Sequence, residues 1–285
     1  DKVFLSNGLV RDEVKEAFAG DIVAITGIQE IKIGQTVSTL GDTESLASAK
    51  ITEPTLHVTV GPNTSPLSGR EGEFTTARQI EERLARELET NLSLKLRKLE
   101  NGKYEVSGKG ELHLSVLLET LRREGYEVEV GKPEVIYKDI DGKKCEPFEE
   151  VNIVVPNEYM GTISQEIGKR FGHLVSMNPI SDQETEFVYR MPTRAILGLR
   201  SLLLTATKGT VIFNSQFIDF EPVGPNLPKM RRGVLIATNS GEALSYGLQA
   251  AQERGITFVD PGDALYEGQI VGMNAKQEDI EINAC

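Results

Sequence analysis

The 285-residue chain has no Trp and only two cysteines, Cys145 and Cys285. They form no C-x-x-C pair, so neither a disulfide framework nor a zinc site is supported, and both are expected as free thiols. Long apolar runs are also missing. Aliphatic stretches such as Leu202 to Leu204 fall far short of the ~18 residues that a membrane helix needs, and neither end reads as an export signal. A cytoplasmic protein with no membrane partner is therefore predicted. No G-x-x-x-x-G-K-[S/T] phosphate loop occurs, so this sequence contains no cradle of backbone N–H groups for nucleotide phosphates.

The composition, 39% hydrophobic and 26% charged, belongs to an ordinary globular protein rather than a disordered or fibrous one. Its length exceeds what one hydrophobic core usually serves, which favours several small domains.

A pattern of strand, helix, strand, strand, helix, strand occurs twice. In the first copy Leu56, Val58 and Val60 alternate as a half-buried strand does, and Ala77, Ile80, Leu84 and Leu88 follow at helical spacing. Leu92 to Leu99 lead through the turn Asn101-Gly102 into Tyr104 and Val106, a hairpin signal. A helix carrying Leu114, Leu117, Leu118 and Leu121 then stops at Gly125 before Tyr126, Val128 and Val130. In the second copy Val151, Ile153 and Val155 alternate, and Met160, Ile163, Ile167 and Phe171 lie on one stripe. His173 to Met177 extend, Phe187 to Tyr189 precede a helix with Ala195, Leu199, Leu202 and Ala206, and Val211, Phe213 and Phe217 finish the unit. Two unrelated αβ segments would be the blander account. The repeat reads as two split βαβ, or ferredoxin-like, units.

The flanks differ. Val3 to Val10, Asp21 to Thr26 and Ile31 to Thr39 are short β-prone runs divided by glycines, too few for a whole barrel. The last 60 residues read again as short strands and turns. There Glu267-Gly268-Gln269-Ile270-Val271 echoes Ala19-Gly20-Asp21-Ile22-Val23 and Ile33-Gly34-Gln35-Thr36-Val37. The expected fold class is α+β and multidomain. Residues 1–52 would be part of a β-barrel, 53–131 and 148–222 ferredoxin-like domains joined by a linker at 132–147, and 223–285 a β-rich C-terminal domain.

A net charge of −12 argues against nucleic acid at first sight. The local distribution argues otherwise. Phe187 to Phe213 contains no acidic residue but holds Arg190, Arg194, Arg200 and Lys208. Gly224 to Ser240 is likewise acid-free and carries Lys229, Arg231 and Arg232. Lys169 and Arg170 end a helix, where cations also complement the helix dipole. Each residue alone reads equally well as part of a solvated face. As a set inside an acidic protein they favour a phosphate-facing patch, and no DNA partner is expected.

Several motifs carry a family resemblance. Val14-Lys15-Glu16-Ala17 with Ala19 to Ala24 resembles the late strands of the second domain of translational GTPases. Ser107-Gly108-Lys109-Gly110-Glu111-Leu112-His113-Leu114 resembles the G-x-G-E-L-H-L signature of the third domain of elongation factor G and its relatives. Leu121 to Val128, followed by Gly131-Lys132-Pro133-Glu134-Val135, looks closest to the BipA or TypA branch. Val155 to Gly161 resembles the opening of that family's fifth domain. Gly233 to Ile236 and Tyr266 to Gly272 are similar to its own C-terminal domain.

The resemblance implies the ribosome-binding portion of a translational GTPase acting in ribosome assembly or stress-related translation, without the fourth, arm-like domain of elongation factor G. It implies ribosomal RNA, ribosomal proteins and tRNA as partners. GTP and Mg would belong to an N-terminal domain absent from this sequence, leaving this portion with no cofactor and no activity alone. The residues expected to meet RNA are Lys229, Arg231 and Arg232 in one loop, and Arg194, Arg200, Lys208, Lys169 and Arg170 on the second unit.

Other chemistry is weaker. Gly108-Lys109-Gly110 before a helix is expected to be a tight turn rather than an anion site, because Glu111 follows it. His57, His113 and His173 are far apart and read as core or capped residues. Glu81-Glu82 and Glu149-Glu150 read as solvated faces rather than acid–base pairs. An alternative function is a regulatory module binding a metabolite in an apolar pocket between the two units.

Overall fold

A computed structural model describes residues 2–28, 31, 33–38, 44–47, 53–228 and 233–285. It is a mixed α+β chain built mainly from antiparallel sheets, with no closed barrel among the described residues. At the N-terminus β1 (Val3–Asn7) and β2 (Val10–Val14) form a hairpin, and β3 (Val23–Ile25) pairs antiparallel with β1. No described residue between 2 and 47 is buried, so this sheet has no core of its own here. The β-prone run at 31–39 forms no strand among its described residues; Lys32 and Thr39 lie outside them.

The first αβ module contains β4 (Leu56–Pro62), α1 (Ala77–Thr90), β5 (Lys95–Lys98), β6 (Tyr104–Gly108), α2 (Glu111–Arg123) and β7 (Val128–Val130). Its sheet runs β5-β6-β4-β7 and every pairing along that path is antiparallel. Thr76 starts α1 as a capping box: its hydroxyl accepts from the Gln79 N–H while the Gln79 side chain accepts from the Thr76 N–H. The Asn101-Gly102 turn closes β5 onto β6, with Gly102 at φ 76° and Leu99 N–H donating to Lys103 O at 2.8 Å. Ile80 and Leu84 of α1 and Leu114, Leu117 and Leu121 of α2 close over Leu56, Val58, Val60, Tyr104 and Val106. Fully burying each aliphatic side chain contributes about 1.5–3 kcal/mol before entropy is counted.

The stretch 132–147 holds strands rather than a bare connector. β8 (Glu134–Val135) pairs with β4, and β9 (Lys138–Ile140) pairs with the start of β10 (Lys143–Pro156). The second module continues with α3 (Met160–Gly168), β11 (His173–Pro179), β12 (Glu184–Pro192), α4 (Thr193–Ile196), α5 (Leu199–Ala206) and β13 (Ile212–Pro222). Its sheet runs β11-β12-β10-β13, again antiparallel, so its strands follow the same order as those of the first module. The core packs Val151, Ile153, Val155, Phe187, Tyr189 and Met191 against Ile163, Ile167, Leu199 and Leu203.

One expectation changes here. The helix expected to run from Ala195 through Ala206 is two helices, α4 and α5, because Gly198 sits at φ 68° and breaks the turn between them. Leu203 rather than Leu202 then faces the core.

The C-terminal module has β14 (Val234–Ala237), β15 (Gly241–Glu242), α6 (Ser245–Gln252), β16 (Gly255–Thr257), β17 (Ala264–Leu265), β18 (Ile270–Asn274) and β19 (Ile280–Ile282). Four strands form a sheet of order β16-β18-β14-β19 in which β14 and β19 run parallel. Strands and turns alone were expected here, but α6 buries Leu248 and Ala251 against Leu235, Val271 and Ile282.

The Gly-containing echo proves to be a turn. In Phe18-Ala19-Gly20-Asp21 and Tyr266-Glu267-Gly268-Gln269 the fourth N–H donates to the first C=O. In both, the fourth side chain accepts from the first N–H, and the glycine has positive φ. Asp260-Pro261-Gly262-Asp263 repeats the same arrangement. A positive φ at the third turn position selects glycine, which explains the recurring letters.

Candidate nucleic-acid interface

The eight cations read from the sequence fall into three groups. Lys229, Arg231 and Arg232 lie outside the described residues. Arg200 and Lys208 are exposed, and neither forms an ion pair among the described residues. Arg200 sits in the first turn of α5 and Lys208 two residues past its last, at φ 53°. Lys169 is half exposed and pairs with Glu166, Nζ to Oε1 at 2.6 Å, at the end of α3.

Arg194 and Arg170 are committed inside the fold. Arg194 donates through Nη2 to Glu146 Oε1 (3.1 Å) and to Pro225 O (2.8 Å), and its Nε donates to Glu146 Oε2 at 2.5 Å. Glu146 is fully buried in β10, and its Oε1 also accepts from the Gly224 N–H at 2.9 Å. This cluster fastens β10, α4 and the chain just past β13 together. Arg170 is 2% exposed; its Nη1 donates to Ala195 O at 2.7 Å and Leu197 O at 3.4 Å, while Nε has no partner among the described residues. Burial lowers its pKa, opposed by Glu166. Of the two arginines expected to face phosphate, Arg170 is enclosed and Arg194 is spent on a buried carboxylate.

Glu146 had no sequence signal as a partner. It stands 48 residues before Arg194 in the chain, outside the acid-free stretch that drew attention to the arginines. Arg190 is likewise paired, its Nε donating to Glu221 Oε1 at 2.6 Å.

The Gly108-Lys109-Gly110 turn does not fit a nucleotide phosphate. His113 Nδ1 accepts from the Lys109 N–H at 3.2 Å, so that donor is taken, and His113 Nε2 lies 2.9 Å from Asn91 Nδ2. Gly108 is required by packing: a Cβ there would meet Leu114 Cδ2 at 2.9 Å and His113 Nδ1 at 3.0 Å. Burial, then the Lys109 charge, lowers the His113 pKa, which keeps the ring neutral. The G-x-G-E-L-H segment thus builds a strand-to-helix corner.

His57 is partly buried, with Nε2 3.9 Å from Glu105 and 4.0 Å from Glu134. His173 is exposed on β11, an edge strand. Among the described residues no three His, Cys, Asp or Glu side chains converge as a metal site, and no helix is long and apolar enough to cross a membrane. A cavity of about 460 Å³ is lined by Phe74, Arg83, Arg86, Glu124 and Tyr126, all from the first module and mostly charged.

The fold thus holds two antiparallel αβ modules of matching strand order followed by a small β-rich unit. Residues 143–231 match the family model "Elongation factor G C-terminus", and residues 232–285 match "TypA/BipA C-terminal domain". Relatives described as "Large ribosomal subunit assembly factor BipA" cover nearly all of the chain. That from Bacillus subtilis (strain 168) is 42% identical over 99% of this chain and 46% of its own length. That from Synechocystis sp. is 40% identical over 98% and 47%, and that from Escherichia coli (strain K12) 41% over 99% and 47%. A crystal structure of a Thermus thermophilus protein aligns at 17% identity with a TM-score of 0.46, covering 79% of this chain and 49% of that one. The chain belongs to the BipA/TypA family, and it spans about half the length of the curated relatives it matches.

Proposed function

We propose that this chain is the ribosome-docking portion of a translational GTPase that serves assembly of the large ribosomal subunit in the cytoplasm. The observation carrying this reading is the identity of 40–42% over essentially the whole chain to relatives named as large-subunit assembly factors. GTP and Mg chemistry is assigned to sequence outside this chain, in keeping with the missing phosphate loop and the occupied Lys109 N–H.

In this reading 53–131 and 148–222 are ferredoxin-like domains, 223–285 is the family's C-terminal domain, and 1–52 belongs to a partial barrel. The matching strand order of the two sheets supports the first assignment. Arg200 on α5, Lys208 two residues past its end, Lys169 at the end of α3, and Lys229, Arg231 and Arg232 contact ribosomal RNA. Ribosomal proteins and tRNA are further partners of the same site. Arg200 and Lys208, exposed and without a carboxylate partner among the described residues, are free to take phosphate oxygens, while Lys169 would have to leave Glu166 to do so.

Binding of the chain to purified large subunits tests the assignment. Changing Arg200 and Lys208 together to Ala, and separately Lys229, Arg231 and Arg232, is expected to weaken binding and flatten its salt dependence. Unchanged affinity and salt slope in both variants would sink it.

A further inference from the structure

The two αβ modules meet at an elbow built by both. α4 and α5 of the second module are separated by Leu197 and Gly198, and Leu197 packs against the core of the first module. Its backbone is held from its own side, since the buried Arg170 guanidinium donates to the Ala195 and Leu197 carbonyls. Gly198 brings one of the N–H groups that a helix start leaves without an internal partner. Its acceptor is Glu111 Oε2 at 3.3 Å, on the first turn of α2 in the first module.

The sheets themselves are joined just as tightly. β8 belongs to the first sheet and β9 to the second, with only Ile136 and Tyr137 between them, and Ile136 N–H donates to Thr55 O at 2.9 Å. Lys138 then pairs with Glu53, before the first module, and its Nζ stands 4.2 Å from the Phe220 ring of β13. Flexibly tethered domains would need none of these contacts.

We propose that Leu197 and Glu111 form a lock across this elbow, making residues 53–222 a single cooperative unit in which neither module opens without the other. Leu197 supplies the apolar plug and Glu111 the cap. Gly198, at φ 68°, lets the chain present both. Local opening in proteins follows contiguous packed units, so a plug shared by two cores couples their opening. The coupling is independent of what the chain binds.

Hydrogen exchange of the full chain, read region by region across a urea series, tests this. In the unaltered chain, amides of β4 and β6 and amides of β10 and β12 are expected to lose protection at the same urea concentration. In Leu197→Ser the first module is expected to lose protection at lower urea than the second, and in Glu111→Ala, an exposed change that removes the acceptor of the Gly198 N–H and leaves both cores intact, a smaller separation is expected. Should Leu197→Ser fail to fold, Glu111→Ala decides alone. The proposal is overturned if the two regions already part in the unaltered chain, or if both variants leave them opening together at the original midpoint.

Discussion

Replacing Arg194 by Ala should be among the most damaging single changes in the second module. Glu146 is wholly buried in β10 and has two kinds of partner, the Arg194 guanidinium and the Gly224 N–H. Removing the guanidinium leaves a carboxylate without its counter-charge in the interior, which typically costs about 3–5 kcal/mol. It also strips Pro225 O of its donor. With a urea slope of about 1–3 kcal/mol per molar, the unfolding midpoint should fall by roughly 1–5 M.

The double variant Arg194→Met with Glu146→Leu removes both charges and keeps much of the volume. It should recover most of the loss, since buried ion pairs replaced by apolar residues are often neutral. The remaining deficit, about 1 kcal/mol, is the Gly224 N–H left without its acceptor. Urea denaturation followed by circular dichroism at neutral pH measures all three proteins. A loss below about 1 kcal/mol for Arg194→Ala would place the pair with ordinary surface ion pairs and refute the reasoning.

His113 should make stability fall as pH drops. Burial holds its folded pKa below the unfolded value, so the unfolded chain takes up the proton first, and stability present above about pH 6.5 is lost on going down toward the folded pKa. His113→Asn should flatten the urea midpoint across that window, leaving the lower-pH fall due to carboxylates such as Glu105 and Glu129, whose partners Arg97 and Lys103 depress their pKa values. Gly108→Ala should cost about 1–3 kcal/mol by overpacking against Leu114 and His113; a neutral result in thermal unfolding would mean that the corner has slack. Leu121→Ala, at a fully buried position in α2, should cost about 2–5 kcal/mol in the same assay.

Periodicity made most of the αβ elements legible. Ala77, Ile80 and Leu84 repeat at helical spacing and Val151, Ile153 and Val155 at strand spacing, and Ile80, Leu84 and the three strand residues are buried where the spacing puts them. Local signals failed where a distant partner decides. Arg194 looked free because its own neighbourhood lacks acids, yet its carboxylate comes from β10, two strands away in sequence order. Arg170 at a helix end looked like a dipole cap, but it turns inward onto the Ala195 and Leu197 carbonyls. The break at Gly198 was hidden because Ala195, Leu199 and Ala206 sit near helical spacing whether or not one residue flips to positive φ. α6 was missed because its buried side is short, only Gly247, Leu248 and Ala251. The Gly-centred echo was visible as letters and carried turn chemistry, not a repeated domain.

The measurement that bears most directly on the proposed function is co-sedimentation of the chain with purified large ribosomal subunits over a salt series. Docking through free cations predicts binding that weakens steeply as salt rises, with log affinity falling linearly in log salt by roughly 0.7–0.9 per phosphate contact. Binding insensitive to salt, or no binding while a full-length relative sediments with the subunit, would contradict it.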